Sequence, residues 1–146
     1  MHLTSGRLLA LTEEQAKQES QNYRVQLDDY TSERTQFKAM PAYQYQADDD
    51  QLVRGGDIIF IASNVLISNK QAFLHYSKLK KQQYLAKQEI NLSLEEKSGW
   101  EINLYQEPLD NNKFLKVGDI ISLYHSEADA TLGLKRKTRS VDIKEF

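Results

Sequence analysis

Val53-Arg54-Gly55-Gly56-Asp57-Ile58-Ile59-Phe60-Ile61 returns later in the chain as Lys116-Val117-Gly118-Asp119-Ile120-Ile121-Ser122-Leu123-Tyr124. Asp57 and Asp119 lie 62 residues apart. A second pair keeps nearly that distance: the stretch opening on Phe37 returns as the one opening on Trp100, 63 residues on. Two markers repeated in the same order at the same spacing predict one supersecondary unit used more than once. Each copy of the first marker is a glycine-aspartate turn followed by a β-branched apolar run. That is the pattern of a turn feeding a buried strand.

Outward from the repeat, alternation of apolar and polar residues predicts strands at about 7–11, 23–27, 36–44, 57–62, 73–76, 90–94, 100–105 and 119–124. Pro41 places its strand at an edge or a bulge. Thr12 to Asn22 is polar throughout. Thr12 with Gln15 has the spacing of a capping box, and Glu13 with Lys17 that of a helical ion pair, so a surface helix or a solvated loop is expected there. Lys78 to Gln88 has helical propensity, but the repeat argues for strand and loop. Phe73 to Tyr76 follows a polar connection. The tail from Lys135 onward is charged and is expected to fray. Short strands, frequent turns and a period that would hold about four strands predict an all-β closed architecture of β-trefoil-type repeats.

The chain has 146 residues, enough for one domain or one domain and part of another. It contains no cysteine, which removes disulfides and thiolate metal sites. A net charge of -2 does not suit a nucleic-acid binder. There is no apolar run long enough to span a bilayer, and Met1-His2-Leu3 does not open a signal peptide.

Five segments, in order, carry a resemblance to a known family. They are His2 to Leu11, Arg24 to Asp28, Gly56 to Ile59 with Phe73-Leu74-His75, Ser98 to Tyr105, and Lys116 to Ala128. Together they resemble the amino-terminal cytosolic region of the inositol trisphosphate receptor and ryanodine receptor calcium-release channels. The resemblance implies two successive β-trefoils, the first called the suppressor domain. It places residues 1–106 in the later part of that trefoil, 107–117 in a linker and 118–146 at the start of a second, ligand-binding-type trefoil. On this reading the chain is truncated at both ends relative to the family. The implied role is a non-catalytic regulatory or interaction module on the cytosolic face of the endoplasmic reticulum. Its partners would be other domains or subunits of a tetrameric channel. No cofactor and no nucleic acid is expected.

Family ligand binding uses arginine and lysine on phosphate, whose geometry suits a guanidinium. One family arginine position is Ser122 here, and a later basic position is Ala130. Lys135, Arg136, Lys137 and Arg139 form the weak remaining candidate for phosphate, although a basic run is more often a solvated tail. Inositol trisphosphate is therefore not expected to bind this chain.

Other candidates read as structural. Gly56, Asp57, Gly118 and Asp119 define the repeat, with the aspartates accepting turn hydrogen bonds. Phe37 and Trp100 occupy equivalent positions and are read as core anchors. Asp48-Asp49-Asp50 lacks the spacing of a calcium loop. His2, His75 and His125 number enough for zinc but are read as core or strand-end residues. No nucleophile motif or P-loop is present, so an enzyme is not expected. The alternative from another class is a small carbohydrate-binding trefoil like those associated with protein O-mannosyltransferases. Its nearest candidates are Tyr43, Tyr105 and Tyr124.

Overall fold

The structure is a computed structural model that describes residues 1–43, 52–77, 88–106, 114–128, 130–134 and 141–145. Its strands are β1 (Leu8–Gln15), β2 (Tyr23–Asp28), β3 (Phe37–Pro41), β4 (Ile58–Ile67), β5 (Lys70–Tyr76), β6 (Ile90–Ser93), β7 (Trp100–Leu104), β8 (Ile121–His125), β9 (Ala130–Leu134) and β10 (Val141–Glu145). The fold is all-β. Every pairing is antiparallel, and the strands form one sheet in the order β1-β2-β6-β5-β4-β7-β8-β9-β10, with β3 added on β4. β10 comes back within 8 Å of β2 and β6, so the sheet curls on itself. Among the described residues no ladder closes it, so the arrangement is an open, curled sheet rather than the closed one expected.

The core lies inside that curl. Leu11, Val25, Leu27, Ile59, Ile67, Leu74, Ile90, Leu92, Trp100 and Ile102 are buried together. Burying each such side chain contributes roughly 1.5–3 kcal/mol, which is the driving force for collapse. Trp100 is fully buried, and its indole N–H donates to the Leu74 carbonyl at 3.1 Å. Phe37, its counterpart in the repeat, is half-buried and packs against the same core.

The repeat is visible in the strand register. β3 on β4 pairs Lys38, Ala39, Met40 and Pro41 with Ala62, Ile61, Phe60 and Ile59. β7 on β8 pairs Glu101, Ile102, Asn103 and Leu104 with Tyr124, Leu123, Ser122 and Ile121. These are the same pairs shifted by 63 residues on one strand and 62 on the other. The next hydrogen bond recurs as well: Ala42 N–H to Ile58 C=O at 3.1 Å, and Tyr105 N–H to Ile120 C=O at 2.9 Å. Four described strands, β3 to β6, separate the start of one copy from the next.

Every span expected to be a strand carries one, and several local expectations are corrected. Thr12 to Gln15 extends β1 and is not helical. Glu14 pairs with Arg24 across β1 and β2, Glu13 pairs with Arg34 in the 3-10 turn Glu33–Thr35, and no Glu13–Lys17 helical pair forms. Residues 16–22 are not a solvated loop, because Ala16, Glu19 and Asn22 turn inward. β6 does not alternate: Ile90, Asn91, Leu92 and Ser93 are all buried, because both faces of that strand are covered. The connection to β5 is a tight two-residue turn, with Ser68 and Asn69 both at positive φ (50° and 59°). Such a turn matches the twist of the flanking strands. In the tail from Lys135 onward, Val141 to Glu145 form β10, which pairs with β9 from Ala130↔Glu145 to Leu134↔Val141. That part of the tail is not frayed, since strand pairing satisfies its backbone. The expectation for Lys78 to Gln88 falls, except for its last residue, outside the described residues.

Candidate functional site

The two glycine-aspartate turns are built alike. Asp57 Oδ2 accepts the Arg54 N–H at 2.8 Å, and Asp119 Oδ2 accepts the Lys116 N–H at 2.7 Å. In each turn the aspartate's own N–H donates to the carbonyl of that same partner, at 3.1 Å. Gly56 and Gly118 stand at φ +87° and +92°, where a side chain would be strained. Both carboxylates are thus engaged with their own turns, which is chemistry of chain reversal.

A cluster the alternation pattern did not reveal lies under residues 16–22. Glu19, Asn22, His75, Asn91 and Ser98 are buried. Asn22 and Asn91 each donate an amide N–H to Glu19 Oε2 at 2.9 Å. Asn22 also donates to Asn91 Oδ1 at 3.0 Å. Glu89 accepts the backbone N–H groups of Lys17 and Gln18 at 3.0 and 3.3 Å. His75 Nδ1 is 3.1 Å from Ser98 Oγ, which also accepts the Tyr76 N–H at 3.0 Å. His75 Nε2 lies 3.3 Å from Glu19 Oε2 and 3.5 Å from Glu96 Oε2. These are ion-pair distances without hydrogen-bond geometry.

Ser98, His75 and Glu19 form a line of hydroxyl, imidazole and carboxylate. Its chemistry is nevertheless structural. Ser98 is buried and already accepts a backbone N–H, which leaves its oxygen poorly placed to attack a substrate. The network instead ties the 16–22 segment to β5 and β6 and satisfies buried polar groups that would otherwise be costly. No local sequence signal points to it, because the alternation of Ile90-Asn91-Leu92-Ser93 puts Asn91 on the polar face of its strand.

The remaining candidates do not converge. His2 bonds Ser5 near the exposed start of β1. His125 stacks on Tyr76 at 4.8 Å and meets Trp100 edge-on at 5.3 Å. His75 belongs to the cluster above, so the three histidines are apart in role and place. Among the described residues no group of three or more histidines or carboxylates is arranged for a metal. A cleft of ≈ 150 Å³ is lined by residues including Tyr43, Gly99, His125 and Glu127. Of the three tyrosines considered for sugar binding, Tyr43 alone borders it, and Tyr105 is exposed elsewhere. Ser122 is exposed on β8. Lys135, Arg136, Lys137, Arg139 and Asp48 to Asp50 lie outside the described residues.

Residues 1–111 match a protein-family model described as inositol 1,4,5-trisphosphate/ryanodine receptor. No curated protein matches the chain.

Proposed function

Because the chain belongs to the inositol 1,4,5-trisphosphate/ryanodine receptor family, we propose that it is a non-catalytic regulatory and interaction module of a calcium-release channel gated by inositol trisphosphate. The observation that carries this reading is the family match over residues 1–111. Its signature residues are consistent with a scaffold role: Trp100 anchors the core, His75 joins the buried network, and Asp57 closes a turn. The proposed partners are neighbouring domains or subunits of a larger channel at the endoplasmic reticulum. No helix among the described residues is long and apolar enough to cross a membrane.

The division at 107–117 is proposed as one of descent rather than of packing. Residues 118–128 repeat the opening of the earlier unit, yet β8 pairs with β7 and His125 packs on Trp100. Weak phosphate binding is assigned to Lys135, Arg136, Lys137 and Arg139 alone, since the exposed Ser122 offers no guanidinium.

The test is to measure trisphosphate affinity of a family ligand-binding region with and without this chain fused ahead of it. The expected result is lower affinity in the fusion. Equal affinity would overturn the regulatory role. Calorimetry on the chain alone should show no stereospecific micromolar binding. Such a signal would instead make the four basic residues the first to mutate.

A further inference from the structure

The ends of four strands meet at the cleft beside β4. Ala42 N–H donates to the Ile58 C=O at 3.1 Å, which fixes the chain carrying Tyr43 just past β3. Ile58 opens β4, Gly99 directly precedes β7, and His125 closes β8, with Glu127 in the 3-10 turn that follows. Glu101 faces Ile58 on one side and Tyr124 on the other, so β7 draws these pieces together. The cleft has a volume of ≈ 150 Å³. Pockets for drug-sized ligands start at about 300 Å³, so this one takes a single small group and no nucleotide, oligosaccharide or inositol phosphate.

Its walls sort by chemistry. Tyr43 and Phe60 supply aromatic rings and Ile58 an apolar side chain, while Gly99 presents no side chain at all. The Phe60 ring meets Phe73 edge-on, with centroids 6.4 Å apart and planes at 81°, so it is held in place before any ligand arrives. His125 is fixed as well, by Tyr76 and Trp100. Glu127 is exposed, and among the described residues its carboxylate forms no ion pair. Among those residues it is also the only carboxylate or ammonium that borders the cleft.

We propose that this cleft binds an alkylammonium group, the charged end of a free quaternary amine or of a methylated lysine side chain. Aromatic rings attract such a cation through their negative faces, a carboxylate adds to that attraction, and Ile58 packs against its methyl groups. An anion would be repelled by Glu127, and a neutral group would leave that carboxylate without a partner. Lys97 shows the same preference within the chain. Its Nζ lies 4.5 Å from the Phe73 centroid and 5.5 Å from that of Phe60, although Lys97 does not line the cleft. Its charge opposes a second cation nearby, so the expected dissociation constant is on the order of millimolar. The inference rests on the cleft and does not depend on the regulatory role proposed above.

The test titrates the intact chain with choline chloride and follows backbone and aromatic NMR shifts, with sodium chloride withdrawn to hold ionic strength constant. Saturable shifts centred on Tyr43, Phe60, Gly99 and Glu127 are expected. The uncharged tert-butyl analogue of choline has the same shape and should bind about tenfold more weakly. Glu127→Gln and Tyr43→Leu should each weaken choline binding by about threefold or more. Both side chains are exposed enough for the fold to survive, which unfolding midpoints check, and the comparison of choline with its analogue needs no variant. A short peptide carrying one trimethylated lysine separates the two sources. Tighter binding than choline assigns the site to a protein side chain, and weaker binding to a free amine; both support a cation site. No saturation up to about 50 mM choline overturns the proposal. Equal binding of the uncharged analogue overturns it too, since the cleft would then be merely apolar, and so do shifts centred away from the cleft.

Discussion

Asp57 and Asp119 make the same hydrogen bond 62 residues apart, each carboxylate accepting the backbone N–H three residues before it. Asp57 is the more enclosed of the two, since β7 packs across its turn. A hydrogen bond to a charged group contributes roughly 1.5–3 kcal/mol when shielded and less when solvated. Asp57→Ala should therefore lower stability by about 1–2 kcal/mol, and Asp119→Ala by less. Urea unfolding of both variants checks the order. A larger loss at Asp119 would show that the second turn is the better supported one.

The buried network makes Asn91 an informative position. Its amide donates to Glu19 while its carbonyl accepts from Asn22. Asn91→Asp keeps the shape, removes the donor and sets a second carboxylate against Glu19. Breaking a buried network in this way costs about 3–5 kcal/mol. Asn91→Asp should therefore destabilise far more than its size suggests, and Glu19→Gln combined with it should recover part of the loss. Denaturant midpoints of the single and double variants decide the matter. Additive losses would sink the coupling.

The strand positions were legible because alternation and β-branched runs are local signals. So was the repeat, because its turn requires glycine at one place and aspartate beside it. The buried cluster was not legible, because Glu19, Asn22 and Asn91 come together only when β2 pairs with β6 and the 16–22 segment folds under. Polar residues 12–15 suggested a helix because local spacing cannot register the pairing of β1 with β2, which runs to Gln15↔Tyr23, or the long-range ion pairs of Glu13 and Glu14. β9 carries apolar residues at 130, 132 and 134 and β10 at 141 and 143, an alternation that fits strands, but the charged run at 135–139 between them reads as a frayed tail. The basic run at 135–139 stood out by charge alone, which says little about a site.

The Ser68-Asn69 turn places both residues at positive φ. Asparagine tolerates this region and serine does so less well, whereas Asn-Gly is the favoured pair for such a two-residue turn. Ser68→Asn with Asn69→Gly should raise stability, because glycine removes a left-handed strain of roughly 1–2 kcal/mol that outweighs its added freedom in the unfolded chain. Ser68→Val should lower it, because a β-branched side chain is strained there. Thermal melts of the two variants should move in opposite directions. A shift in the same direction would contradict the turn geometry.

Gly99 offers a test of packing at the mouth of the cleft. A Cβ built there would lie 2.8 Å from the Ile58 side-chain branch methyl, Cγ2. Both residues border the same cleft, and Ile58 pairs with Glu101 close by. Gly99→Ala therefore cannot be accommodated without displacing Ile58 or the start of β7. Overpacking of this kind costs about 1–3 kcal/mol. Ile58→Leu moves the branch away from Cβ and should relieve the clash, so the double variant should be more stable than Gly99→Ala alone. Trp100 is the chain's sole tryptophan and is fully buried beside Gly99. Its emission therefore reports the displacement directly: a red shift is expected in Gly99→Ala and recovery in the double variant. An unshifted spectrum with unchanged stability in Gly99→Ala would mean that the glycine is not there to admit Ile58.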